Sequence, residues 1–182
     1  AHARASAEAL AAFGLGDVYC EELIADARHI EVQVLGDGKG NVRHFGEREC
    51  SLQRRRQKVV EVAPSPSLDD DLRQSIVGAA VQMARMSNYL GLGTFEFLVD
   101  RQQPGRFIFI ETNPRVQVEH TVTEEAFGVD LVNAQIRTCL GASLDEALGG
   151  RLEDRPVGYA IQLRVNMESM QPDGSVAPAA GQ

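Results

Sequence analysis

Hydrophobic and polar positions alternate cleanly from Arg28 to Leu35, with Ile30, Val32 and Val34 on one side and His29, Glu31 and Gln33 on the other. A period of two predicts a half-buried strand. Asp37-Gly38-Lys39-Gly40-Asn41 is a strong turn signal, so Val42–Glu47 should return as the second arm of a hairpin. Cys50–Lys58 reads as a polar loop before a short apolar strand at Val59–Val62, and Pro64 and Pro66 then break the chain. From Leu68 to Tyr89 the apolar residues Leu72, Ile76, Ala79, Ala80, Met83 and Met86 fall at helical spacing. Asp69, Asp70 and Asp71 open that segment, as the positive end of a helix favours.

Thr94–Asp100 and Arg106–Thr112 read as two strands joined by Arg101-Gln102-Gln103-Pro104-Gly105. Helical patterns cover 122–127 and 130–140, and Tyr159–Val165 reads as a last strand. At the start, residues 2–13 predict an Ala-rich helix stopped by Gly14 and Gly16, followed by a short strand at Val18–Ile24. Hairpins interleaved with helices predict an α+β fold, an antiparallel sheet with flanking helices.

Composition narrows the function classes. The 182 residues are enough for one domain with a real core. A net charge of −8 argues against a general nucleic-acid binder, which would carry a broad basic surface. Cys20, Cys50 and Cys139 are scattered, with no C-x-x-C spacing, which points to a reducing compartment rather than a disulfide framework or a zinc site. No apolar run reaches the length of a membrane span, and the N-terminus lacks the long apolar stretch of a signal peptide. The chain therefore reads as cytoplasmic. It starts in what reads as mid-helix without an initiator Met, so it is expected to be a segment of something longer.

Three stretches carry candidate chemistry. If Asp100 faces Phe107 in the 94–112 hairpin, Leu98 faces Phe109, Glu96 faces Glu111 and Thr94 faces Asn113. Opposed carboxylates destabilise a strand pair unless something positive lies between them. Glu96, Glu111 and Asn113 are hard oxygen donors of the kind Mg²⁺ accepts beside nucleotide phosphates. The competing reading is a solvated acidic face in another register. Next, Arg115, Gln117 and Glu119 would share a face of an extended run. The guanidinium could grip a planar oxyanion and the carboxylate could act as a base, or the two could simply pair with each other. Finally, Ser51–Lys58 with Arg54, Arg55 and Arg56 is a focal basic loop, suited to a small anion or merely solvated.

Taken together, these runs resemble biotin carboxylase, a member of the ATP-grasp superfamily. The matching pieces are Arg28–Leu35, Glu47–Arg55, Gln57–Glu61, Gly93–Leu98 and Glu111–His120, in the family's order. The run His120-Thr121-Val122-Thr123-Glu124-Glu125 is most similar to the pyruvate and acyl-CoA carboxylase branches. The resemblance implies ATP- and bicarbonate-dependent carboxylation of biotin through carboxyphosphate. By it, residues 1–23 are the tail end of the lid subdomain and 24–182 a C-terminal ATP-grasp subdomain.

Roles follow residue by residue from the same resemblance. Glu96 and Glu111 would hold Mg²⁺ or Mn²⁺, with Asn113 close by; Glu21, Ile24 and Leu98 would line the adenine pocket; His29 and Gln53 would lie near the ribose. Lys58, Arg115, Gln117 and the backbone of Val118 would hold bicarbonate, Glu119 would take its proton, and Arg164 would stabilise the biotin enolate. Partners would be ATP, bicarbonate, biotin on its carrier domain, an N-terminal domain and glycine-rich lid that are not in this sequence, and a second copy. Nucleic acid and membrane are not expected. Arg56 stands where the family usually has His. Two alternatives stay open: a carbamoyl-phosphate-synthetase-like ATP-grasp domain, and a non-catalytic dimerisation or regulatory module.

Overall fold

The structure, a computed structural model, describes residues 1–150, 155–173 and 175–179. Six strands form one antiparallel sheet in the order β5-β4-β1-β2-β3-β6. They are β1 (Ala27–Asp37), β2 (Val42–Arg54), β3 (Gln57–Ala63), β4 (Leu90–Asp100), β5 (Phe107–Asn113) and β6 (Ala160–Leu163). Helices α1 (His2–Phe13), α2 (Asp70–Met86), α3 (His120–Phe127), α4 (Leu131–Cys139) and α5 (Leu144–Ala147) accompany it, and β7 (Glu168–Met170) pairs with β8 (Val176–Pro178) in a small separate hairpin. The expected α+β fold with an antiparallel sheet and flanking helices is borne out.

Each face of the sheet has its own core. On one, Ile30, Val32 and Val34 of β1 and Phe95, Phe97 and Val99 of β4 pack against Ile76, Ala80 and Ala84 of α2. That helix starts where expected because the Asp69 side chain accepts from the Leu72 N–H, satisfying one of the donors left free in a first turn. On the other face, Leu35, Phe45 and Leu92 pack under Val122, Phe127, Leu131 and Leu144 from α3, α4 and α5. These helices cover only one end of their face. The rest of it carries the charged residues described below.

Two irregularities decide which side chains reach that open area. Between β4 and β5, Glu96 pairs with Glu111 and Thr94 with Asn113, as expected, but Phe97 pairs with Phe109 and Leu98 with Ile108. The extra residue, Ile110, is a bulge, and a bulge re-aims the side chains beyond it. Phe109 thereby joins Phe95 and Phe97, at ring-centroid distances of 6.4 and 5.8 Å, while Glu111 stays opposite Glu96. The expected Asp100–Phe107 and Leu98–Phe109 pairings are thus corrected, since Phe107 pairs with Val99 and Phe109 with Phe97. Between β1 and β2 the register slips from Val34↔His44 to Val32↔Glu47. Gly46 takes up this slip at φ 59°, and a Cβ there would stand 3.0 Å from the Phe127 ring.

Three further expectations change. Cys50–Lys58 is not a loop: β2 runs on to Arg54, and a tight turn at Arg55 and Arg56, both at positive φ, leads into β3. Val18–Ile24 forms no strand, and a strand without a neighbour leaves its backbone groups unpaired. β1 is not half-buried, since Glu31 and Gln33 are as buried as Ile30. No helix among the described residues is long and apolar enough to cross a membrane.

Candidate active site

A cleft of ≈ 570 Å³ opens on the uncovered end of the second face, lined by His29, Gln53, Lys58, Glu96, Glu111, Asn113, Arg115, Gln117, Val118, Glu119 and Arg164, with Arg56 at the β2–β3 turn. The sheet brings these together from distant positions: β1 supplies His29, β3 Lys58, β4 Glu96, β5 Glu111 and Asn113, and the turn before α3 supplies residues 115–119.

Beneath the cleft lies Arg48, a fully buried guanidinium with every nitrogen engaged. Its Nε donates to Glu31 at 2.6 Å, Nη1 to Gln33 and Thr123 at 2.8 Å each, and Nη2 to Thr94 at 3.2 Å and Gln117 at 3.3 Å. Burial pushes the Glu31 carboxyl up, but the Arg48 and Lys58 charges outweigh it and hold the group below the usual range. Glu31 is therefore an anion in a dry place, and its second oxygen accepts from Lys58.

Lys58 joins this foundation to the cleft. Its Nζ also donates to Glu96 at 3.1 Å and to Glu119 at 2.8 Å. Burial would favour the neutral amine, yet Glu31 and Glu119 raise its pKa and keep it an ammonium. Glu96 is the most heavily bonded acid of the cleft: one oxygen accepts from Lys58, Asn113 and Gln117, and the other stands 2.7 Å from His29 Nε2. Burial pushes this carboxyl up, and His29, Lys58 and Gln117 together bring it down to about 2. Asn113 also donates to Glu111 at 3.3 Å, so its amide lies between the two opposed acids. Glu119 is held from the other side by Arg164 Nη2 at 2.7 Å.

Between β5 and α3, residues 114–119 form an irregular turn rather than the expected extended run, with Gln117 and Glu119 buried and Arg115 exposed. Arg115 does not pair with Glu119; it bonds Asn113 Oδ1 at 3.4 Å and the Val116 carbonyl at 3.3 Å. His29 and Gln53 contact each other at 3.1 Å on the cleft wall. Three expected residues lie elsewhere. Glu21 is exposed and Ile24 half-buried in a segment without regular structure, and neither lines the cleft. Leu98 sits beside His29 in the β1–β4 register but is not part of the cleft wall. Of the basic run, Arg54 is tied to Glu168 at 2.6 Å, while Arg56 reaches the cleft without a carboxylate partner among the described residues.

Sequence reasoning missed Arg48, Glu31 and Glu61. The Gly46 bulge hides the first two: a regular hairpin counted from the 37–41 turn sets Glu31 opposite Glu47, whereas the slipped register sets it opposite Arg48. Glu96, Glu111 and the Asn113 oxygen form a set of hard donors fit for Mg²⁺ or Mn²⁺, since Glu96 is fully ionised and Glu111 is exposed.

Comparison with known proteins places the chain. Residues 1–147 match the family described as "Carbamoyl-phosphate synthase L chain, ATP binding domain". The chain is 53% identical over 176 residues to a pyruvate carboxylase of Bacillus subtilis, covering 95% of this chain and 15% of that protein. It is 52% identical over 180 residues to a biotin carboxylase of Nostoc, covering 97% of this chain and 38% of the relative. Among solved structures, the biotin carboxylase domain dimer of Hydrogenobacter thermophilus 2-oxoglutarate carboxylase, in complex with MgADP, ADP and bicarbonate, matches with a TM-score of 0.81. It is 45% identical and covers 92% of this chain and 36% of that one. The chain thus spans well under half the length of these relatives. The resemblance to biotin carboxylase drawn from the motifs is borne out.

Proposed function

The chain belongs to the carbamoyl-phosphate synthase L chain ATP-binding domain family, and on that premise we propose that it forms the ATP- and bicarbonate-handling part of a biotin carboxylase, an ATP-grasp ligase. The observation that carries this reading is Lys58, whose one ammonium touches both the metal-type carboxylate Glu96 and the candidate base Glu119. Phosphoryl transfer asks a protein mainly for positioning and charge neutralisation. A cation joining those two acids sets the nucleotide end and the bicarbonate end of the reaction within one cleft.

In this reading His29 and Gln53 contact the ribose, and Glu96, Glu111 and Asn113 hold the divalent ion. When bound, that ion neutralises charge on the nucleotide phosphates. Lys58, Arg115, Gln117 and the Val118 backbone hold bicarbonate. Glu119 takes its proton, so that a bicarbonate oxygen attacks the γ-phosphorus of ATP, releasing ADP and forming carboxyphosphate. Carboxyphosphate breaks down to CO₂ and phosphate, phosphate removes the proton from biotin, and Arg164 stabilises the enolate that attacks CO₂. Residues 1–23 are assigned to the end of a lid and 24–182 to the subdomain beneath it, of which 151–154, 174 and 180–182 lie outside the described residues. A carrier domain bearing biotin, pairing with a second copy and a cytoplasmic location complete the proposal.

The family description itself keeps carbamoyl-phosphate synthesis in view as the second reading. The protein that carries this chain should cleave ATP in a way that requires both bicarbonate and biotin, and Glu119→Gln should slow that turnover on the order of 10²–10⁴-fold with little change in ATP affinity. Ammonia-dependent, biotin-independent ATP cleavage would favour the second reading instead.

A further inference from the structure

One buried acid has no place in that scheme. Glu61 on β3 is fully buried, and neither of its oxygens makes a hydrogen bond among the described residues. Burying a carboxylate without hydrogen bonds is costly, so its retention asks for a use of its charge. Its one cationic contact among the described residues is Arg164, whose Nε stands 2.6 Å from Glu61 Oε1, outside hydrogen-bond geometry. Pairing of β3 with β6 brings the two together: Glu61 faces Gln162, and the Arg164 N–H donates to the Val59 carbonyl at 2.9 Å.

Glu61 is also the end of an alternating line of charge, Arg48–Glu31–Lys58–Glu119–Arg164–Glu61. Within the line each inner member has an oppositely charged neighbour on both sides; among the described residues Glu61 has only Arg164. A guanidinium is planar, so fixing Nε at Glu61 and Nη2 at Glu119 fixes the whole fork. Nη1 is left without a partner among the described residues, available to a planar anionic oxygen. With Glu119 alone, Arg164 could pivot about a single contact.

We infer that Glu61 is a positioning residue for Arg164, locking its guanidinium plane so that the unpaired edge meets an enolate-type oxygen of the substrate. The lock stands on geometry; the identity of the oxygen rests on the biotin carboxylase reading. Burial raises the Glu61 carboxyl above its usual range even beside Arg164, in keeping with a charge that has little other support.

The test has two parts. In nitrogen relaxation of the arginine side chains of this chain, with Arg164→Lys used for assignment, the Arg164 Nε–Hε bond should be as rigid as the sheet backbone, and Glu61→Gln should make it mobile while leaving the amide spectrum in place. Unchanged rigidity in Glu61→Gln overturns the inference. Should that variant fail to fold, the wild type decides: an Nε–Hε bond as mobile as that of the exposed Arg55 overturns the lock, and a rigid one supports it. In the protein carrying this chain, Glu61→Gln should lower kcat for biotin-dependent ATP cleavage on the order of tenfold with KM for ATP unchanged. The Glu61→Gln/Arg164→Lys double variant should be no slower than Arg164→Lys, whereas multiplying effects overturn the inference. If the wild type shows no biotin-dependent cleavage, the functional reading fails and the relaxation result still decides whether Glu61 locks Arg164.

Discussion

On one side of β1, Ile30, Val32 and Val34 are fully buried against α2; on the other, Glu31 and Gln33 are buried to within 1% of the same degree. Accessible area does not tell the two sides apart. What differs is what each buried atom requires. A methyl group is content with any close-packed neighbour, and a slightly smaller side chain costs only the lost contact and a small cavity. A carboxylate or guanidinium needs a particular partner at a particular atom, so removing one member strands the others. The apolar face therefore loses stability gradually under substitution, and the charged face abruptly. This also explains how a cleft of ionised groups can stand on a dry foundation. Arg48 satisfies Glu31, Glu31 and Glu119 keep Lys58 charged, and Lys58 in turn faces the cleft acids.

The largest effect is expected at the foundation. Arg48→Met keeps much of the side-chain bulk but strands Glu31, and it should cost about 3–5 kcal/mol in denaturant unfolding. A loss under 1 kcal/mol would mean that Arg48 is filler rather than a partner. On the apolar face, Ile76→Ala should cost about 2–5 kcal/mol, and Ile30→Val, one strand residue from Glu31, about 0.5–1.5 kcal/mol. If Ile30→Val proved as damaging as Arg48→Met, the contrast between the faces would collapse.

Acid sharpens the same contrast. The folded-state pKa of Glu31 is depressed by Arg48 and Lys58 against the effect of burial. A depressed carboxyl contributes stability above its unfolded value, about 4.3, and loses it as pH falls below that towards the folded value. Wild-type stability should therefore drop with acid from about pH 4.3 downwards. Ile30→Val should show the same slope, and Arg48→Met a shallower one because Glu31 is then held down by Lys58 alone. Equal slopes in all three would remove Glu31 from the account.

Much of this architecture was legible from the residues, and the failures have physical causes. The Glu96–Glu111 and Thr94–Asn113 pairs come out right because the Ile110 bulge offsets a starting pair that is one residue off: Phe107 pairs with Val99, not with Asp100. Leu98 opposite Phe109 fails because it lies between the turn and the bulge, where that offset has not yet been made. Glu31 and Gln33 alternate with Ile30 and Val32, and alternation reports two faces without saying that the polar one is wet. Arg48, flanked by Glu47 and Glu49, has the local look of a solvated strand, and only the slipped register at Gly46 sets it against Glu31. The basic run failed as a loop because Leu52 and Gln53 pair with Val60 and Lys58 across a tight turn, and such pairing has no signature within the run itself. Glu21 and Ile24 were carried by resemblance, and their segment has no neighbouring strand to set them against the cleft.

We propose that the charged face ends in a nucleotide and metal site built on Glu96 and Glu111. Calorimetric titration of Mg²⁺·ATP into this chain, beside a Glu96→Gln/Glu111→Gln variant, tests it most directly. The wild type should bind saturably, and the variant should not. Binding that survives unchanged without the two carboxylates would contradict it.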